Sequence, residues 1–169
     1  MDYQSYESEL FPENEVVVEK EVSIRIPNKD DLLELTNMQN SMNRDILNIM
    51  DSDELWSNKC KDSYFNIVDE DFIYDILYSM FIIEKDGNVV GFAQFKTQDV
   101  NLHIMQMYVK DEYRRQGISN KSLKLIEDYA ISKNLKCLSI SCIKSNKPAL
   151  ESYEKSGYRE YHVSLIKNL

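Results

Sequence analysis

Apolar positions recur along this chain with two periods, one strand-like and one helical. Val16–Val18 and Val22–Ile26 are extended, β-branched runs, and Pro27 ends the second. Asn28 opens Asn-Lys-Asp-Asp, a helix start with acids in its first turn. Leu32, Leu35 and Met38 then recur at helical spacing through about Ser41. Residues 44–80 read as helical in pieces, Ile46–Met50, Asp53–Tyr64 and Glu70–Ser79. Met80–Glu84 and Val89–Lys96 flank Asp86-Gly87, which signals a hairpin, and Leu102–Lys110 is a further strand. Leu123, Ile126, Tyr129 and Ala130 restore the helical period from Ser119 to about Ser132. Lys136–Ile143 is apolar with little alternation, which predicts an interior strand. Asn146–Lys155 is a short helix with Pro148 in its first turn and Gly157 at its stop. Tyr158–Ile166 is expected as a last strand. This order predicts an α/β domain, a mixed and mostly antiparallel twisted sheet of six to seven strands with helices on both faces.

A length of 169 residues suits one domain, and 43% hydrophobic residues suffice for a core. Residues 1–21 are read as an acidic arm, unfolded or adding an edge strand, and residues 22–169 as the domain. No stretch approaches the ~20 apolar residues of a membrane span. The acidic start, Met1 to Phe11, lacks a basic segment before an apolar run, so no secretory leader is expected. The cysteines Cys60, Cys137 and Cys142 show no Cys-x-x-Cys spacing, and the histidines are only His103 and His162. A disulfide framework and a metal site are therefore not expected, and a reducing cytoplasm is.

The net charge of −9 is uneven: residues 1–80 carry 19 acidic and 6 basic residues, and residues 81–169 carry 10 and 14. An acidic first half argues against nucleic acid as a partner. It suits a cationic small molecule or peptide, or simply a solvated surface. Neither reading requires a membrane. The aromatics Trp56, Tyr64, Phe65, Phe72, Tyr74 and Tyr78 admit two readings as well. They are core, Phe72 with Ile73, Ile76 and Leu77 above all, or they line a pocket for a cation.

The stretch most informative for chemistry runs from Tyr108 to Asn120. A strand ends, a basic turn follows, and a helix opens with Gly117. Free amide N–H groups at a helix start attract an anion, and a glycine lets it approach the backbone. Arg114 and Arg115 add forked donors suited to phosphate oxygens. The alternative is an ordinary helix start with exposed arginines.

These residues resemble a known family. Arg114-x-x-Gly117-x-Ser119 is similar to the acyl-CoA signature Gln/Arg-x-x-Gly-x-Gly/Ala of the GNAT N-acetyltransferases, departing from it at Ser119. Downstream, Asn146-x-x-Ala149-x-x-x-Tyr153-x-x-x-Gly157-Tyr158 resembles a second signature of that family. The resemblance covers about residues 22–169. It implies acetyl-CoA as co-substrate, its pyrophosphate on the backbone of Arg115, Gln116, Gly117, Ile118, Ser119 and Asn120 beside Arg114. It also implies that the main chain of Met107 and Val109 pairs with the pantetheine arm, which Asn146 faces, where the strands Leu102–Lys110 and Lys136–Ile143 splay apart. Tyr153 matches the family's general acid for the departing thiolate, a role that suits a phenol.

The implied activity is transfer of acetyl to a primary amine, on a small cationic compound or on a peptide or protein, by direct attack. The base is poorly marked, because the strand before the loop holds no carboxylate. His103 is the candidate there, with Gln106 and Tyr108 able to orient a water; Glu34 or a carboxylate of residues 51–71 could also reach in. Cys137 and Cys142 read as apolar fillers. The rival reading is a non-catalytic acyl-CoA sensor or protein-interaction module. The sequence also allows a homodimer.

Overall fold

The computed structural model describes residues 16–19, 21–51, 67–165 and 167. Trp56, Cys60, Tyr64, Phe65 and the expected helix Asp53–Tyr64 lie outside them. Strands β2 (Val22–Arg25), β3 (Met80–Lys85), β4 (Asn88–Gln98) and β5 (Asn101–Val109) form an antiparallel series. A short strand β1 (Val16–Glu19) joins antiparallel outside β2, and β6 (Cys137–Ile140) joins parallel to β5 at the other edge. The sheet order is β1-β2-β3-β4-β5-β6. Helices α1 (Leu32–Asp51), α2 (Glu70–Ile76), α3 (Ile118–Ser132) and α4 (Lys147–Lys155) complete the mixed α/β fold.

Two apolar cores follow from the sheet's two faces. Leu35, Met38 and Met42 of α1 and Ile73 of α2 pack on Met80, Ile82, Phe92 and Tyr108. Leu123, Ile126 and Tyr129 of α3 pack on the opposite set, Ile24, Phe81, Ile83, Ala93, Phe95, Leu102, Ile104 and Val109. Phe81 anchors that layer, its ring centroid 4.5 Å from Phe95 and 4.9 Å from Tyr129. The expected hairpin forms at Asp86-Gly87, whose φ values of 52° and 78° suit a primed two-residue turn.

The start of α1 is fixed before its apolar stripe begins. Asn28 Oδ1 accepts from the Asp30 N–H at 2.8 Å, and Asp31 accepts from the Asn28 N–H at 2.8 Å. Arg25 grips both Asp31 oxygens at 2.7 and 2.8 Å and donates to Glu84 at 2.8 Å. This joins β2, β3 and the helix start. Burial alone would raise the Asp31 carboxyl; the Arg25 guanidinium and the Asn28 amide outweigh it and hold the group below the usual carboxylate range.

Four expectations are corrected. Helix α1 runs unbroken to Asp51, where two pieces were expected. Its apolar period lapses at Gln39 and Asn43, yet both are buried, and Gln39 Nε2 donates to Asn43 Oδ1 at 3.0 Å. Phe72 is 48% exposed, while Ile73 and Leu77 fill the core. Lys136–Ile143, read as interior, yields only Cys137–Ile140, paired with β5 alone among the described residues. Its apolar run mimics a central strand, but Cys137 is exposed. No strand forms over Tyr158–Leu165. Local β propensity there meets no ladder partner, and Tyr161, Val163 and Leu165 stay exposed.

Candidate active site

The pairing of β5 with β6 ends at Ile104–Ile140, with a last hydrogen bond from the Ser141 N–H to the Ile104 carbonyl at 3.1 Å. Beyond that point β5 continues for five residues with one edge free of β6. Backbone groups alternate in direction along a strand. The Lys110 N–H bonds the Val90 carbonyl at 2.9 Å, so Lys110 and Tyr108 face β4 and Met107 and Val109 face the opening. That opening is where an extended arm can add main-chain hydrogen bonds.

A bulge shapes the same region. The β4–β5 register shifts between Gln94 and Phe95, leaving Met105 unpaired. The alternation of side chains switches there. Leu102 and Ile104 pack toward α3, and past the bulge so do Met107 and Val109. His103 therefore lies on the α1 face, and past the bulge Gln106 and Tyr108 do.

His103 is half-buried between two hydroxyls of the neighbouring strand, Nδ1 at 2.8 Å from Ser139 Oγ and Nε2 at 2.9 Å from Ser141 Oγ. Asn101 Nδ2 in turn donates to Ser139 Oγ at 3.0 Å. Burial, and then the charge of Lys96, hold the His103 pKa below its ordinary value. The ring is thus neutral and able to accept a proton at neutral pH. The serines were not singled out from the sequence; their signal is the parallel register His103↔Ser139.

Tyr153 sits on the other face, packed against the α3-side core with its ring centroid 6.1 Å from Tyr158. Burial, then Cys142 and Tyr158, push its hydroxyl far above the ordinary phenol value. It holds its proton firmly. Burial also raises the Cys142 thiol, to about 11, which argues against a thiolate nucleophile at neutral pH. Asn146 caps α4, its Oδ1 accepting from the Ala149 N–H at 3.3 Å.

The loop before α3 matches the anion-site expectation at its backbone. Gly117 has φ 76°, and no side chain among the described residues caps the helix start it forms. A Cβ there would meet nothing within 4 Å, and the first-turn amides of Ile118, Ser119 and Asn120 follow directly. Arg115 is exposed, with φ 63°. Gln116 is pinned by Lys85 Nζ at 2.7 Å and by its own Nε2 on the Glu112 carbonyl at 3.1 Å. Asn120 accepts from Ser152 of α4 at 2.7 Å. An open helix start, strand-edge N–H and C=O groups and a protonated phenol fit the phosphates, amide arm and thiol end of acetyl-CoA.

Arg114 is placed differently from the expectation. Its Nη2 donates to Asp45 at 2.6 Å and lies 2.8 Å from Asp111, and its Nε donates to the Val109 carbonyl at 2.9 Å. The guanidinium lies 5.3 Å over the Tyr108 ring. Glu34 is likewise engaged, with Lys110 at 2.5 Å. These residues border a groove of about 380 Å³ between α1 and the turn ending β5. Among the described residues no group of three or more His, Cys, Asp or Glu could hold a metal ion, and no helix is long and apolar enough to cross a membrane.

Known proteins share this fold and part of this sequence. A stretch of 60 residues is 33% identical to the thialysine N-epsilon-acetyltransferase of Bos taurus, covering 36% of this chain and 35% of that protein. The match thus spans about a third of that relative. The fold resembles the PaiA N-acetyltransferase of Thermoplasma acidophilum, solved in complex with coenzyme A, with a TM-score of 0.66 at 19% identity over 85% of this chain and 92% of that one. It also resembles an aminoglycoside acetyltransferase from an uncultured soil metagenomic sample, solved with sisomicin, with a TM-score of 0.61 at 17% identity over 89% of this chain and 97% of that one. The model of the GNAT acetyltransferase family matches residues 43–158, more than half of the sequence, and the chain belongs to that family.

Proposed function

We propose that the protein transfers an acetyl group from acetyl-CoA to a primary amine by direct attack. The single observation that carries this reading is the opening between β5 and β6, which begins just past His103 on the α1 face, with Tyr153 on the opposite face. Acetyl-CoA supplies the activated acyl group as a thioester. The first-turn amides of Ile118, Ser119 and Asn120, with the backbone of Arg115, Gln116 and Gly117, hold the pyrophosphate. The backbone of Met107 and Val109 aligns the pantetheine arm, and the amide of Asn146 faces it. His103 receives the proton of the incoming amine, directly or through a water oriented by Gln106 and Tyr108. Tyr153 gives its proton to the departing sulfur. The amine nitrogen adds to the thioester carbonyl, and collapse of the tetrahedral adduct breaks the C–S bond, so one group must take the amine proton and a separate one must supply the sulfur's.

The acidic first half supports a cationic acceptor. Relatives whose names carry thialysine or aminoglycosides are consistent with that class. The test is release of free thiol from acetyl-CoA with a panel of diamines, aminoglycosides and lysine peptides, scored against neutral amines at matched pH. Turnover of the cationic amines should fall with added salt; turnover that rises with salt refutes electrostatic steering. Tight acetyl-CoA binding with no turnover of any amine would favour the sensor reading.

A further inference from the structure

Arg114 carries the first position of the cofactor motif, yet its Nε and Nη2 are directed at protein groups. They meet Asp45 on α1, Asp111 in the preceding turn and the Val109 carbonyl at the end of β5. Its guanidinium also lies over the Tyr108 ring. On α1, Glu34, Met38, Ser41 and Asp45 follow one another at i, i+4, i+7 and i+11, a single stripe of the helix. That stripe meets Lys110 through Glu34, Tyr108 through Met38, and Arg114 through Asp45.

The loop so held is strained. Arg115 adopts a left-handed φ of 63°, which a residue with a Cβ tolerates only where its surroundings enforce it. The loop is fastened on both sides of Arg115, by Arg114 to α1 and by Gln116 to Lys85 at the end of β3. A loop intended to present backbone N–H groups needs fixed geometry more than another charge.

Resting on the acetyl-CoA reading above, we infer that Asp45 acts through Arg114 to set the loop Arg114–Gly117 in its anion-binding form. Both are positioning residues, and Arg114 is not a phosphate ligand. The two roles make opposite predictions for Asp45. A phosphate-binding arginine is freed when its competing carboxylate is neutralised. A clamp is lost.

The experiment compares the full chain with Asp45→Asn, Arg114→Gln, Arg114→Lys and the Asp45→Asn/Arg114→Gln double variant. Acetyl-CoA affinity is measured by calorimetry. Loop order is measured by hydrogen exchange of the peptide 110–118 without ligand. Circular dichroism confirms that each variant is folded. A charge-assisted pair that is about 40% exposed is partly screened, so each single variant should bind about three- to tenfold more weakly. The double variant should be no weaker than the worse single, because both remove one device. Arg114→Lys should not rescue, lacking the fork. Exchange of the loop should quicken in every variant, and kcat should change less than KM for acetyl-CoA. Unchanged or tighter binding in Asp45→Asn, with loss in Arg114→Gln, overturns the clamp in favour of a direct phosphate contact. Unchanged exchange in both singles overturns it as an idle surface pair. A wild-type chain that does not bind acetyl-CoA refutes the cofactor reading alone, since the exchange measurement still decides the clamp.

Discussion

Gly91→Ala should be among the most damaging single-methyl additions in this fold. Gly91 sits buried in β4 opposite Val109, and a Cβ built on it would lie 2.2 Å from the Tyr108 carbonyl oxygen. It would also lie 3.2 Å from the Tyr108 carbonyl carbon and from Val109 Cα. Optimal separation of such atoms is about 3.5 Å, so β4 and β5 must part locally by roughly 1 Å. The obstacle is backbone and cannot swing aside. Parting by that amount takes the nearby Lys110 N–H bond to Val90, 2.9 Å long, outside useful range. Losing one or two ladder bonds and overpacking the strand pair together cost roughly 2–4 kcal/mol. With a urea m-value of about 2 kcal/mol/M, the unfolding midpoint should fall by about 1–2 M. Gly87→Ala is the internal control. Gly87 has φ 78° but nothing within 4 Å of its missing Cβ, so only the backbone penalty of about 1–2 kcal/mol applies. Equilibrium urea unfolding followed by fluorescence and circular dichroism measures both. A Gly91→Ala midpoint at or above that of Gly87→Ala would refute the argument that close strand approach demands this glycine. The folded fraction of Gly91→Ala should also bind acetyl-CoA more weakly, because Tyr108 and Val109 lead directly into the loop.

Tyr153→Phe should lower kcat by roughly 10²-fold with little change in acetyl-CoA affinity, as expected for removal of a general acid; equal loss of affinity would make the residue a packing element instead. With His103 held below its ordinary pKa, the rate should fall as pH drops through that lowered value, and His103→Gln should abolish this acid limb; an unchanged limb assigns the base elsewhere. Asp31, held below the unfolded carboxylate value of about 3.9, contributes stability that is complete above that pH and is lost as pH falls through its folded value. Asp31→Asn should therefore cost thermal stability at pH 7 and much less near pH 2, as calorimetric melting would report.

Helices α3 and α4 and the hairpin were legible because their signals are local. Asp86-Gly87 could form one kind of turn, and Pro148 with Gly157 bounded α4 within a residue or two. The turn into α3 was legible through Gly117, whose left-handed φ of 76° the geometry requires. What escaped the sequence depends on partners distant along the chain. The apolar run at Lys136–Ile143 reads as a central strand, but apolar composition says nothing about neighbours in the plane, and β6 pairs with β5 alone among the described residues, with Cys137 exposed. The alternating run at Tyr158–Ile166 gives propensity without a ladder. The bulge at Met105 reverses which side chains face α1, so simple alternation puts His103 and Tyr108 on opposite faces. The pairing of Arg114 with Asp45 was not legible, because the two lie 69 residues apart.

The central claim is that the Gly117 helix start holds acetyl-CoA. Calorimetric titration of the full chain with acetyl-CoA, alongside Gly117→Glu, tests it most directly. The account predicts saturable binding to the wild type and its loss in the variant, which adds a negative charge at the helix start that would hold the pyrophosphate, while the circular dichroism spectrum stays native. Equal binding by both, or none by a folded wild type, would contradict it.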